Sequence, residues 1–336
     1  MNPGHVGTAS HGGLGPVVLG HDDAMMDVVE RRRAGKEGAL VQEHLGRMRA
    51  SGVGLALLAV YVESAYKPFA SLERAVRCLG GLLAELSGAG DEFFVVRNAG
   101  DLDRLREGSV GIVIALEGAE PLGATLDNLY VFHQAGVRSL GLTWNQRNLV
   151  ADGIWETGGL TEFGRQVVSL SESLEILVDV SHLNERSFWD VAEVARKPFV
   201  ASHSNARAVC DHPRNLTDDQ IRAISRSGGV VGLNFYSPTL APRDASIDDA
   251  VAHLRHMIAV AGEDHVALGP DFVDFMVEQT KRETGAPPQL TRGLESVECI
   301  PAFIEHLADL GFSEETLRKV LGSNFIRVLR RVLPRL

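Results

Sequence analysis

Val17-Val18-Leu19-Gly20-His21-Asp22-Asp23 is the stretch that decides the fold: a short apolar run, mostly β-branched, leads straight into a histidine followed by two carboxylates. A continuous apolar run this short suits a parallel strand covered on both faces. The same arrangement recurs along the chain. Val113-Ile114-Ala115-Leu116 stops at Glu117-Gly118, and Ile176-Leu177-Val178 passes through Asp179 to Ser181-His182. Phe199-Val200-Ala201 leads into Ser202-His203-Ser204, and Val266-Ala267-Leu268 into Gly269-Pro270-Asp271-Phe272. Further strands are expected over 53–62, 140–143 and 230–235. The segments 40–50, 72–86, 122–134, 163–174, 186–195, 218–227 and 247–261 carry helical periodicity between them.

Eight strands alternating with helices predict an α/β chain of the (β/α)8 TIM-barrel type. In such barrels the reactive groups gather at the C-terminal ends of the strands, which is where all five polar clusters fall. The length of 336 residues exceeds the roughly 250 of a typical barrel and leaves room for long loops and terminal helices. No linker divides the chain, so one barrel domain is expected over 16–336, behind a glycine-rich flexible arm over 1–15 that lacks the pattern of a secretory signal. A helical pair over 300–310 and 314–332 is expected to pack on the barrel or to help form a homodimer.

Composition narrows the function. The chain is 45% hydrophobic and 23% charged, ordinary for a protein with a large core, and no apolar stretch reaches the length of a membrane span. A formal charge of −11 argues against a nucleic-acid partner, which calls for a basic surface. Three cysteines, Cys78, Cys210 and Cys299, show neither metal-type spacing nor a disulfide framework, which fits a reducing, cytoplasmic setting.

The clusters supply metal-type ligands. Strand alternation turns His21 and Asp23 the same way and Asp22 the other, so His-x-Asp reads as a two-ligand pincer; Asp22 or Asp23 equally suits the start of a helix. Glu117 follows an apolar run, where an ionised carboxylate needs a cation, either a metal or an arginine. His182 and His203 end two other strands and need acceptors on their second ring nitrogens to fix the tautomer. Three histidines and two carboxylates at equivalent strand ends together predict a binuclear metal site.

The ordered set of these segments resembles the membrane dipeptidase family, the renal-type zinc peptidases of the amidohydrolase superfamily. The likeness runs from Gly20-His21-Asp22-Asp23 through Leu116-Glu117-Gly118, Leu142-Thr143-Trp144-Asn145, Val178-Asp179-Val180-Ser181-His182, His212-Pro213-Arg214-Asn215 and Gly269-Pro270-Asp271-Phe272 to Leu321-Gly322-Ser323-Asn324-Phe325. It implies that His21 and Asp23 bind one zinc, that His182 and His203 bind the other, and that Glu117 bridges them. Mn or Co would suit the same ligands. The resemblance further makes Asp271 the acid/base that takes a proton from the attacking zinc-bridging hydroxide and gives it to the departing amine, and Arg214 the receiver of the dipeptide's free carboxylate. The expected substrates are small L,L and L,D dipeptides. One departure stands out: the renal enzymes carry a histidine where this chain has Trp144, which either substitutes as an N–H donor or walls the pocket. That leaves two alternatives: hydrolysis of a lactam, lactone or N-acyl amino acid on the same metals, or an inactive metal-bound binding protein.

Overall fold

The protein is described here by a computed structural model covering residues 13–335; residues 1–12, which make up most of the expected arm, lie outside the described residues. The strands are β1 (Val17–Asp22), β2 (Val53–Tyr61), β3 (Phe93–Val95), β4 (Val110–Glu117), β5 (Val137–Gly141), β6 (Leu177–Asp179), β7 (Val231–Leu233) and β8 (Val266–Leu268). Between them run α1 (Ala24–Arg33), α2 (Gly46–Ala50), α3 (Ser71–Ser87), α4 (Asp127–Ala135), α5 (Glu162–Ser173), α6 (Glu185–Val194), α7 (Asp218–Ser227), α8 (Ser237–Leu240) and α9 (Ile247–Ala261). After β8 come α10 (Val277–Thr284), α11 (Ile300–Asp309), α12 (Glu314–Arg318) and α13 (Asn324–Val332).

Every ladder is parallel. The order β1-β2-β4-β5-β6 continues through single bridges, Asp179 to Val200 and Ala201 to Val231, into the β7-β8 pair. β8 packs beside β1 and closes a (β/α)8 barrel. The expected strand at 199–201 thus exists only as two bridges. Gly232 and Gly269 show how tightly the chain is gathered there: a Cβ on either would sit 1.9 or 1.8 Å from the Ser202 carbonyl oxygen. Three other expectations shift. β3 is an added strand beside the N-terminal half of β4, whose C-terminal half pairs with β5. α1 begins immediately after the first cluster, and α4 starts at Asp127 because Pro121 lies in a separate 3-10 turn, Glu120–Leu122.

Alternation sorts the side chains. Leu55, Leu57, Val113, Leu177, Val200, Val230 and Ala267 form an interior cluster, while Leu58, Ile112, Ile114 and Leu116 belong to the larger core beneath the helices. Phe325, Val328, Leu329 and Val332 of α13 join the interior cluster, so the C-terminal helix plugs the floor of the barrel. Following the same inward face upward leads from Val113 to Glu117, from Leu177 to Asp179 and from Ala267 to Asp271. No described helix is long and apolar enough to cross a membrane.

Candidate metal centre

The site begins with a fault in β1. Leu19 pairs with Ala56 and Asp22 with Leu58, three residues' advance against two, so the strand bulges at Gly20-His21 and the next side chains are re-aimed. Asp22 then accepts the Ala24 amide at 2.9 Å, at the start of α1, and is turned away from His21 and Asp23. Asp22 thus takes the helix-start role, while Asp23 makes no side-chain cap bond and stays beside His21. His21 Nε2 lies 3.5 Å from Asp23 Oδ1, 3.8 Å from Glu117 Oε1 and 3.9 Å from Asp271 Oδ1.

Glu117 ends β4 and is central. Its Oε1 stands 3.0 Å from His182 Nε2 and 3.7 Å from His203 Nε2, while those two nitrogens are 2.9 Å apart. Donor atoms bound at about 2.0–2.1 Å in a tetrahedron are separated by about 3.4 Å, so these gaps match ligands around shared ions. The structure thus brings together His21, Asp23, Glu117, His182, His203 and Asp271, and shows Glu117 facing both halves of the group.

The hydrogen bonds decide which nitrogens are free. His182 Nδ1 is 2.7 Å from Asn145 Oδ1, an acceptor, so Nδ1 carries the proton and Nε2 keeps its lone pair. His203 Nδ1 is 2.7 Å from Ser202 Oγ, whose own proton goes to Asp179 in a short bond; Nδ1 again donates and Nε2 is left with a lone pair. Asp179 is itself held by the amides of Ser181 and Ser202 at 2.9 and 3.0 Å. Two unprotonated ring nitrogens therefore converge on the Glu117 carboxyl group. His21 Nε2 and Asp23 Oδ1 are likewise buried without a hydrogen-bond partner. Such a set repels itself unless a cation is added, so the donors fit divalent ions.

Titration behaviour says the same. Burial pushes His182 and His203 well below the usual imidazole range, with Arg214 and His21 adding to it, so both are neutral. Burial opposes the charge on His21, yet Glu117, Asp23 and Asp271 push it up to about 10. Burial pushes Glu117 up to about 8, reinforced by Asp23 and Asp271. At pH 7 the metal-free cluster therefore holds protons on His21 and Glu117 where positive charge is wanted. Loading the metal-free protein with a divalent ion at pH 7 is expected to release about two protons and to tighten as pH rises toward 8 and beyond. Calorimetry in buffers of different ionisation heat reads this directly. A pH-independent affinity with no proton release would contradict the assignment.

Two of these residues have left-handed backbone. His182 has φ +68 and Asp271 φ +59, left-handed values that non-glycine residues rarely adopt and that collect at functional sites. Asn234 donates to Asp271 Oδ2 at 3.0 Å and fixes its carboxylate.

Residues 15–333 match the sequence profile of the membrane dipeptidase family, peptidase family M19. The chain belongs to that family of metallopeptidases. An uncharacterized protein in the pqqA 5′ region of Klebsiella pneumoniae is 39% identical over 249 residues, 70% of this chain and 87% of its own. Among solved structures, the metallopeptidase dipeptidase AC is 32% identical with a TM-score of 0.85, covering 95% of this chain and 99% of its own. A metallopeptidase from Rhodobacter sphaeroides, liganded with a phosphinate mimic of the dipeptide L-Ala-D-Ala, is 31% identical over the same shares, with the same TM-score.

Around the metallopeptidase cluster lies a cavity of about 200 Å³, bounded on one side by Arg214 and on the other by Trp144. Arg214 is buried, its Nη2 held at 3.2 Å from the His203 carbonyl, and no carboxylate pairs with it among the described residues. Burial lowers its pKa, against the pull of Asp271, Glu117 and Asp179. Trp144 meets Tyr61 at a tilt and Trp155 edge-on, with ring centroids 5.3 Å away in each case, and tilts over His182 at 5.8 Å. Lys67 Nζ sits 5.2 Å from the Tyr61 ring and 5.4 Å from that of Trp144, and pairs with Glu120 at 3.1 Å. Asn145, Asn234, Tyr61 and Tyr236 join the site without having been expected from the sequence. Asn145 alone carries a signal there, as the residue ending the Leu-Thr-Trp-Asn segment.

Proposed function

We propose that this chain is a binuclear zinc dipeptidase acting on small L,L and L,D dipeptides. The observation that carries the reading is the meeting of three imidazoles, His21, His182 and His203, with the carboxyl groups of Asp23 and Glu117, where the Nε2 atoms of His182 and His203 face Glu117 and His21 Nε2 and Asp23 Oδ1 are buried without a hydrogen-bond partner. His21 and Asp23 would hold one ion, His182 and His203 the other, with Glu117 between them; Mn or Co suits the same donors. When bound, such ions acidify a water toward a pKa of about 7 and polarise a carbonyl.

The chain's own residues do the rest. Arg214 offers a fixed, buried guanidinium to the free carboxylate of a dipeptide. Asp271, whose Oδ1 lies 3.9 Å from His21 Nε2 and whose Oδ2 accepts from Asn234, would take the proton of the attacking water and return it to the departing amine. Trp144 walls the pocket and holds Tyr61 in place. A cavity of about 200 Å³ lies below the roughly 300–1,000 Å³ of ordinary ligand pockets, which favours a two-residue substrate over a longer peptide. The phosphinate-bound relative from Rhodobacter sphaeroides supports acceptance of a D-residue at the second position.

The test is hydrolysis of a mixed L,L and L,D dipeptide panel by zinc-loaded protein. Cleavage is expected, lost on chelation and reduced by at least about 100-fold when the dipeptide's carboxylate is amidated, since the buried Arg214 charge is then unpaired. Lactams, lactones and N-acyl amino acids form the comparison arm. Turnover of these without any dipeptide cleavage would overturn the peptidase reading, and metal binding with no turnover at all would indicate a binding protein.

A further inference from the structure

One part of the cavity wall does not belong to the barrel. It is supplied by the strap that comes after β8, through Val273 and Met276 and, farther on, Thr280 and Pro288. Phe272, buried, starts the strap by packing edge-on against Phe235 with centroids 5.8 Å apart. A turn from the Met276 amide to the Val273 carbonyl, 3.0 Å, brings both of these side chains to the cavity. The two residues between them point elsewhere. Phe275 meets the buried His44 ring edge-on at 4.8 Å, and His44 is held by Asp27 at 2.8 Å. Asp274 Oδ2 accepts from Arg47 Nη2 at 2.8 Å.

Arg47, on α2, does more than pair with the strap. Its Nε and Nη2 also grip both carboxylate oxygens of Glu298 at 2.5 and 2.8 Å. Glu298 lies in the 3-10 turn Val297–Cys299 leading into α11, outside the strap. Arg47 thus ties three segments that are distant in sequence, and its hydrogen bonding pulls Glu298 down to about 2. A guanidinium divided between two carboxylates in this bidentate way has a fixed plane, and a fixed plane fixes Asp274. The consequence reaches the cavity because Asp274 sits between the two residues that wall it.

We propose that Arg47, which does not itself line the cavity, is a positioning residue that sets substrate side-chain selectivity by clamping the 272–276 strap through Asp274. With the clamp closed, Val273 and Met276 form a fixed apolar wall that favours substrates with an apolar side chain on that side. With it released, the wall recedes, and contacts to a large side chain weaken while those to glycine, which never reaches the wall, do not. The kinetic arm of this inference rests on the dipeptidase reading above.

The experiment compares wild type with Arg47→Met, Arg47→Lys and Asp274→Asn, all metal-loaded. For Arg47→Met the KM for a dipeptide with a bulky apolar side chain is expected to rise about tenfold, against less than about twofold for a glycine dipeptide, with kcat falling much less. Asp274→Asn should reproduce this ratio, the double variant should add little to either, and Arg47→Lys, able to reach one carboxylate at a time, should restore part of it. Tryptic cleavage after Lys281 or Arg282 in α10 should accelerate in Arg47→Met and Asp274→Asn while Tm moves little. Unchanged cleavage together with an unchanged KM ratio would overturn the clamp, as would parallel losses for large and small substrates accompanied by a fall in Tm. Should the wild type cleave no dipeptide, the functional reading fails by itself, and the proteolysis arm still decides whether Arg47 holds the strap.

Discussion

Replacing Glu117 by alanine is expected to remove hydrolysis altogether, by at least about 1,000-fold in kcat/KM, or about 4 kcal/mol of transition-state stabilisation. The size comes from position. Glu117 Oε1 is within 4 Å of all three cluster imidazoles, so its loss takes a donor from both halves at once. The sign of the accompanying stability change is less intuitive. In the metal-free protein the buried Glu117 feels two neighbouring carboxylates, Asp23 and Asp271. Burial and these neighbours push Glu117 up to about 8, so folding strengthens its hold on a proton. A group of this kind contributes stability below its unfolded pKa, near 4.5, and loses it as pH rises through about 8. Metal-free Glu117→Ala should therefore equal or exceed metal-free wild type in Tm at pH 8. Added zinc should raise the wild-type Tm, by about 2.7 kcal/mol of stability at a hundredfold excess over Kd, and leave the variant unmoved. A variant that still responds fully to zinc would show that Glu117 does not hold the ions.

The chain announces this site because its candidate ligands come shortly after apolar runs. His21, Glu117, His182, His203 and Asp271 each stand at or shortly beyond the end of a buried apolar run, and for Glu117, the last residue of β4, strand alternation also fixes its direction. The parts that stay hidden have the opposite character. Asn145 reaches His182 from 37 residues away, and Asn234 reaches Asp271 from the end of a neighbouring strand. Asn145 shows only as the end of the Leu-Thr-Trp-Asn segment and Asn234 not at all, since an asparagine after a strand is equally a turn residue. The bulge at Gly20-His21 and the left-handed backbone at His182 and Asp271 are likewise invisible to periodicity, because tertiary packing imposes them. β3 escapes a reading of the sequence for a related reason: three residues, Phe93–Val95, are too few to show alternation, and only the half of the β4 edge that β5 leaves unpaired gives them a partner. The stretch 273–292 reads as loop because the polar residues of α10 leave it no apolar stripe.

Asp271→Asn separates two roles that geometry alone leaves adjacent. Asp271 Oδ1 lies near His21 and Asp23 in a group able to hold an ion, so it has the makings of a ligand as well as of a proton carrier. Asparagine preserves shape and can still face Asn234, while neither taking nor giving the proton. If Asp271 is the acid/base, the variant should keep both ions and its affinity for dipeptide, and lose between about 100- and 10,000-fold in kcat. The acid limb of the pH profile, where a base must first lose its own proton, should vanish with it, since burial raises that carboxyl's pKa above the ordinary range and brings it nearer the working pH. If it is a ligand, metal content should fall by one ion per chain, and added zinc should restore part of the rate. Metal analysis beside single-substrate kinetics on one preparation decides between them. Retained stoichiometry with collapsed kcat requires a group that acts on the proton, because a neutral side chain of the same shape has lost little else.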